Sequence, residues 1–320
     1  MKVAGNNLIV TLIKTAPLVH RDSSPGGILK RVKYCVRGLV FARTTSEWFG
    51  MLHAPEMALI VKNHPYLFHK LQRPYLTWTL NTQQRLEVLS HHYRFVLSQF
   101  SKNVLQDIYN PGGKPLVELE AEEIGTLQLC LECSGKQKEG DLIISLRNKT
   151  AGLMLASLSF SILKNETNRK EIFIGGLQGD QKASKEMVVS ITRALYGLRP
   201  KALLVYALQQ LAMDWGITHL RAVSDAQHVY RHFQKRLEVA ASYDEFWIDC
   251  GGKLGSDRIF DLPVSFVARD ISTIRANKRQ MYRRRYAMLA DIAAQIHHRM
   301  SGKNPVEFAM QQEPGRALAA

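Results

Sequence analysis

The sequence predicts an α+β fold: a helical N-terminal region, then a mostly antiparallel sheet with packed helices. Three observations predict it. Apolar residues recur every three or four positions between Ile28 and Ser101. The period changes to two after the turn-rich run Asn110-Pro111-Gly112-Gly113-Lys114-Pro115. Helical spacing then returns at Val188, Ile191 and Leu195.

Taken in order, residues 1–27 hold Pro17, Pro25, Gly26 and Gly27 without sustained periodicity and read as a flexible N-terminal arm. Residues 28–110 form the helical region. There Arg31, Lys33 and Arg37 interleave with Val32, Val36, Leu39 and Val40, and Leu86, Leu89, Tyr93, Val96 and Phe100 repeat at helical spacing. Pro55, Pro65 and Pro74 divide it into short helices, and Trp48, Phe49, Tyr75 and Trp78 read as core anchors. Residues 116–300 form an α+β domain ending in a basic helix. Its strands are expected at 116–119, 126–133, 141–147, 153–163 and 171–174, an antiparallel meander punctuated at Gly135, Gly140, Asn148 and 165–168. Residues 301–320, with Gly302, Pro305, Pro314 and Gly315, read as a disordered tail.

The stretch 170–225 carries the densest punctuation. A strand ends in Gly175-Gly176-Leu177-Gln178-Gly179-Asp180, read as a turn whose glycines let a ligand approach bare backbone. Ser184 is placed to cap the following helix, with Glu186 in its first turn, and Gly197 stops it. Arg199-Pro200 opens a second helix with an apolar stripe at Leu204, Leu208, Leu211 and Trp215, closed by Gly216. Residues 219–224 resume as a strand, and 262–267 read as one more. From Arg269 to Lys303 nine basic residues face two acidic ones, Asp270 and Asp291, a local net charge of +7, while Leu289, Ile292 and Ile296 keep an apolar stripe.

Over all 320 residues, 43 Lys and Arg stand against 28 Asp and Glu, a formal net charge of +15, which favours polyanionic partners. No run approaches the ~20 apolar residues of a membrane span. Lys14 interrupts the apolar run at residues 8–13 and no small-residue cleavage site follows, which argues against a signal peptide. The expected location is cytoplasmic, with peripheral attachment at the inner membrane open. Cys130 and Cys133 have the spacing of a redox or half-zinc motif, but strand alternation sends them to opposite faces, so no metal is expected.

Two constellations could carry chemistry. The order strand, strand, glycine-containing turn, helix, strand is that of the acyl-CoA-binding core of GNAT-type acyltransferases, in which backbone N–H groups and a helix N-terminus hold a pyrophosphate. Gly176, Gln178, Gly179 and Ser184 are where such a cradle would form, with Lys182 and Lys185 adding charge. The usual Gln/Arg-x-x-Gly-x-Gly/Ala spacing is absent and Asp180 would repel a phosphate, so a plain tight turn is equally consistent. Asp225 and His228 follow the last strand of this core and could supply a general base; alternatively Asp225 caps a helix containing His228, Tyr230 and Phe233. Arg279, Arg283, Arg284 and Arg285 form a candidate anionic-surface site for lipid, lipopolysaccharide or, less favoured, nucleic acid.

Several blocks resemble the VirK/YbjX family: Trp48-Phe49, His64-Pro65, Arg73-Pro74-Tyr75, Gly176-Leu177-Gln178-Gly179, residues 195–201 with Arg199 and Lys201, Ala222-Val223-Ser224 with His228, and residues 282–286. The resemblance spans about residues 40–295. It implies a role in virulence and envelope integrity: surface-protein placement, or resistance to cationic antimicrobial peptides through anionic envelope components. It carries over no catalytic residue. An acyltransferase using an acyl-CoA donor and a nucleic-acid-binding regulator stand as the alternatives.

Overall fold

The computed structural model describes residues 5–121, 124–135, 138–165, 167–179, 185–230 and 242–301. Asp180, Lys182, Ser184, Phe233 and residues 302–320 of the expected tail lie outside them.

Among the described residues seven α-helices come first: α1 (Gly5–Val19), α2 (Pro25–Val40), α3 (Ala42–Leu52), α4 (Ala58–Asn63), α5 (Leu67–Lys70), α6 (Thr82–Gln99) and α7 (Lys102–Tyr109). Their starts follow capping chemistry. Ser24 accepts the Gly27 N–H with Pro25 at the first helical position, Ser101 accepts the Val104 N–H, and Asn81 and Gln84 bond reciprocally in a capping box. The expectation of a flexible arm is corrected here. Leu8, Leu12 and Ala16 recur at helical spacing and bury one face of α1, and α2 crosses it so closely that a Cβ on Gly38 would lie 2.5 Å from Leu12. The prolines and glycines that suggested an arm instead mark the last turn of α1 and the first of α2.

Strands β1 (Lys114–Ala121), β2 (Gly125–Cys133), β3 (Leu142–Asn148), β4 (Leu153–Lys164) and β5 (Lys170–Gly179) form the expected antiparallel meander. After α8 (Lys185–Ala194) and α9 (Pro200–Asp214), β6 (Leu220–Val223) pairs parallel to β5. α10 (Tyr243–Asp249), β7 (Lys253–Leu254), β8 (Ile259–Leu262) and α11 (Ala276–Ser301) complete the chain. The sheet runs β1-β2-β3-β4-β5-β6-β8-β7, mostly antiparallel. Its central strands are buried, with α6 and α9 packed on β4 and α7 and α11 packed towards the β1 edge, and one apolar core runs from Leu8 to Ile296.

Two further expectations change. Gly175 to Gly179 are not a turn; β5 continues through them. The strand expected at 262–267 lies earlier, at Ile259–Leu262, because Pro263 has no N–H for a ladder.

Candidate functional site

β5 and β6 are hydrogen-bonded only through Ile172, Phe173 and Ile174, opposite Leu220, Arg221 and Ala222. β6 ends at Val223, whereas β5 runs on to Gly179 along β4. Within that run Ser159 faces Gly176 while Phe160 faces Ile174, so Gly175 is an extra residue, a β-bulge that turns the end of β5 away from its parallel neighbour. The two strands therefore part beyond Ile174. On the edge that β6 no longer pairs, the buried Leu177 N–H donates to the Tyr243 hydroxyl at 3.4 Å, where a strand would otherwise pair. Such a parting at the carboxyl ends of parallel strands is where open sheets take their ligands.

A buried carboxylate sits in the parting. Glu139 has no exposed surface, and it is seated on bare backbone: a Cβ on Gly175 would lie 2.1 Å from the Glu139 carbonyl oxygen, and one on Gly176 would lie 2.4 Å from Glu139 Oε2. The glycines thus admit a side chain of the same protein. Gln178 Nε2 donates to both carboxylate oxygens at 2.8 and 3.0 Å. His228 Nε2 lies 3.5 Å from Oε1 and makes no hydrogen bond, on a side chain 6 % exposed. Its ring is held between those of Tyr243 and Tyr230, at 5.1 and 5.6 Å. Burial, reinforced by the Glu139 charge, pushes the Tyr243 hydroxyl well up, so it serves as a neutral donor and acceptor. Leu76, whose side chain abuts Gly175, holds φ at 57°, an uncommon conformation for a non-glycine residue. A buried carboxylate beside an imidazole nitrogen with no partner is the arrangement that accepts and relays a proton.

Of the sequence candidates, the structure brings Gly176, Gln178 and His228 together around Glu139. Gly179 ends β5 facing open space, and Ser184 lies outside the described residues. Asp225 is a cap, but of a different helix from the one expected: it accepts the Tyr243 N–H at 2.9 Å and the Ser242 hydroxyl at 2.7 Å, fixing the start of α10, while residues 225–230 form turns. Arg199 and Lys201 stand at the start of α9, where Arg199 reaches Asp249 at the far end of α10 (3.4 Å) and burial lowers the Lys201 pKa. Arg285 donates twice to the Tyr196 carbonyl, at 2.9 and 2.7 Å, and Arg279 donates to the Ile274 and Ser272 carbonyls. Only Arg283 and Arg284 of that quartet are exposed.

Sequence reasoning missed Glu139 and its neighbour Asp141. Asp141, fully buried, accepts Lys70 Nζ at 2.5 Å, the Tyr93 hydroxyl at 2.7 Å and the Tyr75 hydroxyl. Burial alone would raise its pKa, but the Lys70 ammonium, His92 and the donated hydrogen bonds outweigh it and hold the carboxyl down at about 2. The available signal was two acids flanking Gly140 at the head of an apolar strand, and a lysine inside Leu67-Phe68-His69-Lys70-Leu71. Cys130 and Cys133 are pushed up to about 11 and about 12 by burial and are not paired with each other.

A family model described as a protein of unknown function (DUF535) matches residues 26–298. The chain is 33% identical over 273 residues to the uncharacterized protein YbjX of Escherichia coli K12, covering 83% of this chain and 82% of that one. It is 25% identical over 266 residues to an uncharacterized protein of Haemophilus influenzae, covering 82% and 84%. The VirK/YbjX resemblance carried by the sequence blocks is thereby borne out. Among the described residues, no helix is long and apolar enough to cross a membrane.

Proposed function

We propose that this chain, which belongs to the DUF535 family, is an acyltransferase that takes its donor as a coenzyme A thioester in the parting between β5 and β6. The observation that carries the reading is the parallel strand pair that separates after a glycine bulge at Gly175, directly beside the buried Glu139–His228 pair. The pantetheine arm of coenzyme A is an extended chain with two amides. It can add to the edge of β5 as a strand would, bonding the backbone around Leu177 once Tyr243, which covers that edge, yields. The diphosphate would then lie towards the start of α8, where a helix dipole favours an anion. The strand order β5-β6-β8-β7, with its first pair parallel, supports the GNAT-like reading as an analogy of fold.

In the reaction, an acceptor hydroxyl or amine attacks the thioester carbonyl carbon. Glu139, through His228, takes the acceptor's proton; the carbon–sulfur bond breaks; and the thiolate of coenzyme A leaves, to be protonated in turn. An acceptor drawn from an anionic envelope component would join this chemistry to the envelope and virulence role that the resemblance implies. The nucleic-acid alternative has less support: of the α11 cluster, Arg279 and Arg285 are spent on backbone carbonyls, which leaves Arg283 and Arg284 exposed.

Isothermal calorimetry with acetyl-CoA and palmitoyl-CoA tests the reading. Binding that is lost on Gly179→Asp, which sets a carboxylate at the open end of β5, is the expected result. No heat with either thioester overturns it.

A further inference from the structure

The helical hairpin at the start of the chain carries an unpartnered apolar face. Of the nineteen large apolar side chains exposed among the described residues, eleven lie between Ile9 and Phe41. On α2 they are ordered. Ile28, Val32, Val36 and Leu39 follow one another at helical spacing, with Leu29 and Val40 alongside. This stripe lies opposite the face by which Tyr34 and Gly38 pack on α1. α1 adds Ile9, Ile13 and Leu18, exposed by 46%, 62% and 51%. A helix that already buries one face has no folding reason to keep a second apolar stripe in water.

The charge beside the stripe narrows what covers it. From Gly5 to Arg43 there are seven Lys and Arg against Asp22 alone. Arg31 is used internally, donating to the His20 carbonyl at 2.8 Å, and Arg43 reaches Glu47 at 3.3 Å. Lys30, Lys33 and Arg37 are exposed along the flank of the stripe. Two copies meeting face to face would bring these like charges together, whereas an anionic lipid surface supplies both an apolar layer for Val32 and Val36 and phosphates for the flanking cations.

We propose that the α1–α2 hairpin is a membrane-docking surface that lies in the interface of an anionic bilayer, with the Ile28-Val32-Val36-Leu39 stripe inserted and Lys30, Lys33 and Arg37 at headgroup level. This goes beyond the proposed acyl transfer and does not rest on it. It also moves the point of membrane contact away from α11, where the sequence had drawn attention to the arginines.

Flotation of the full chain on vesicles tests it, with vesicles of equal parts phosphatidylglycerol and phosphatidylcholine against vesicles of phosphatidylcholine alone. The chain is expected to float with the anionic vesicles only, and less as salt is raised. Val32→Ser with Val36→Ser and Leu39→Ser changes only exposed side chains; it should leave the thermal melt unchanged and weaken partitioning about tenfold or more. Lys30→Gln with Lys33→Gln and Arg37→Gln should weaken it on the order of a hundredfold at low salt. Arg283→Gln with Arg284→Gln should leave it unchanged. The proposal is overturned if the wild-type chain does not float, if the serine variant floats equally well, or if the α11 variant alone abolishes binding. It is also overturned if sedimentation shows a wild-type dimer that the serine variant turns into a monomer, which would make the stripe a contact between copies.

Discussion

At Gly176 the geometry converts directly into a measurable cost. A methyl group there would lie 2.4 Å from Glu139 Oε2 and 2.6 Å from its Cδ, and the carboxylate has little freedom to retreat because Gln178 holds both its oxygens. Gly176→Ala should therefore destabilise the protein by about 1–3 kcal/mol, the usual cost of overpacking a filled site. Gly179→Ala, at a position with nothing within 4 Å, should cost much less. Urea unfolding of the two variants checks the contrast; equal midpoints would mean that Glu139 is not seated as described. The sequence made the glycines conspicuous but concealed why they are there. A glycine reports that something approaches the backbone, not whether it is a phosphate or a carboxylate thirty-seven residues upstream in the same chain. His228 was legible as a titratable group after a strand, whereas its partner Glu139 was not, because no local pattern links residues on separate loops.

Among the elements, legibility followed the range of the forces that make them. The five meander strands, Pro200 at the first position of α9 and Gly216 at its end were all readable, since alternation and capping act within a few residues. The continuation of β5 through Gly175 and Gly176 was not. Glycine-rich text favours a turn locally, and only pairing with β4 across Ser157 and Ser159 keeps it extended. α1 failed for the same reason, its order being set by the packing of Leu8, Leu12 and Ala16 rather than by a long periodic run. α10 illustrates how such an element is fixed. Its start is held by Asp225, through the Tyr243 N–H and the Ser242 hydroxyl, and by Ser242 itself, which accepts the Glu245 N–H. Asp225→Ala should cost about 1–2 kcal/mol in urea unfolding, the range for loss of a cap. Because the carboxylate points at the helix start, the same variant should leave acyl-CoA affinity within about twofold of wild type, the margin expected for a residue that touches no ligand. A large loss of affinity with unchanged stability would return Asp225 to the ligand site.

The helical region and the sheet share one core, and a buried ionic cluster lies where they meet. Lys70 from α5, Tyr75 from the following segment and Tyr93 from α6 all converge on Asp141 at the head of β3, which also contacts Ser161 on β4. One residue away, across Gly140, Glu139 faces the opposite constellation of Gln178 and His228, and Thr77 bridges to the His228 backbone. The two carboxylates thus couple the docking of the helical layer to the position of the candidate site. Lys70→Met leaves the Asp141 charge buried with only hydroxyl donors, and should destabilise the chain by about 3–5 kcal/mol, whereas adding Asp141→Asn to it should restore much of the loss by removing the stranded charge. The pH dependence has a definite sign. Asp141 is held at about 2, below its ordinary carboxylate value near 3.8, so the unfolded chain binds the proton first as pH falls. The stability it contributes is therefore fully present above about pH 4 and is lost between there and about pH 2. Without Lys70 the folded carboxyl should titrate higher, so part of that acid loss should disappear from the Lys70→Met curve. Urea midpoints of wild type, Lys70→Met and the double variant from neutral pH to pH 3 measure all of this. A double variant no more stable than Lys70→Met, with acid limbs that superimpose, would show that the cluster does not hold the two layers together.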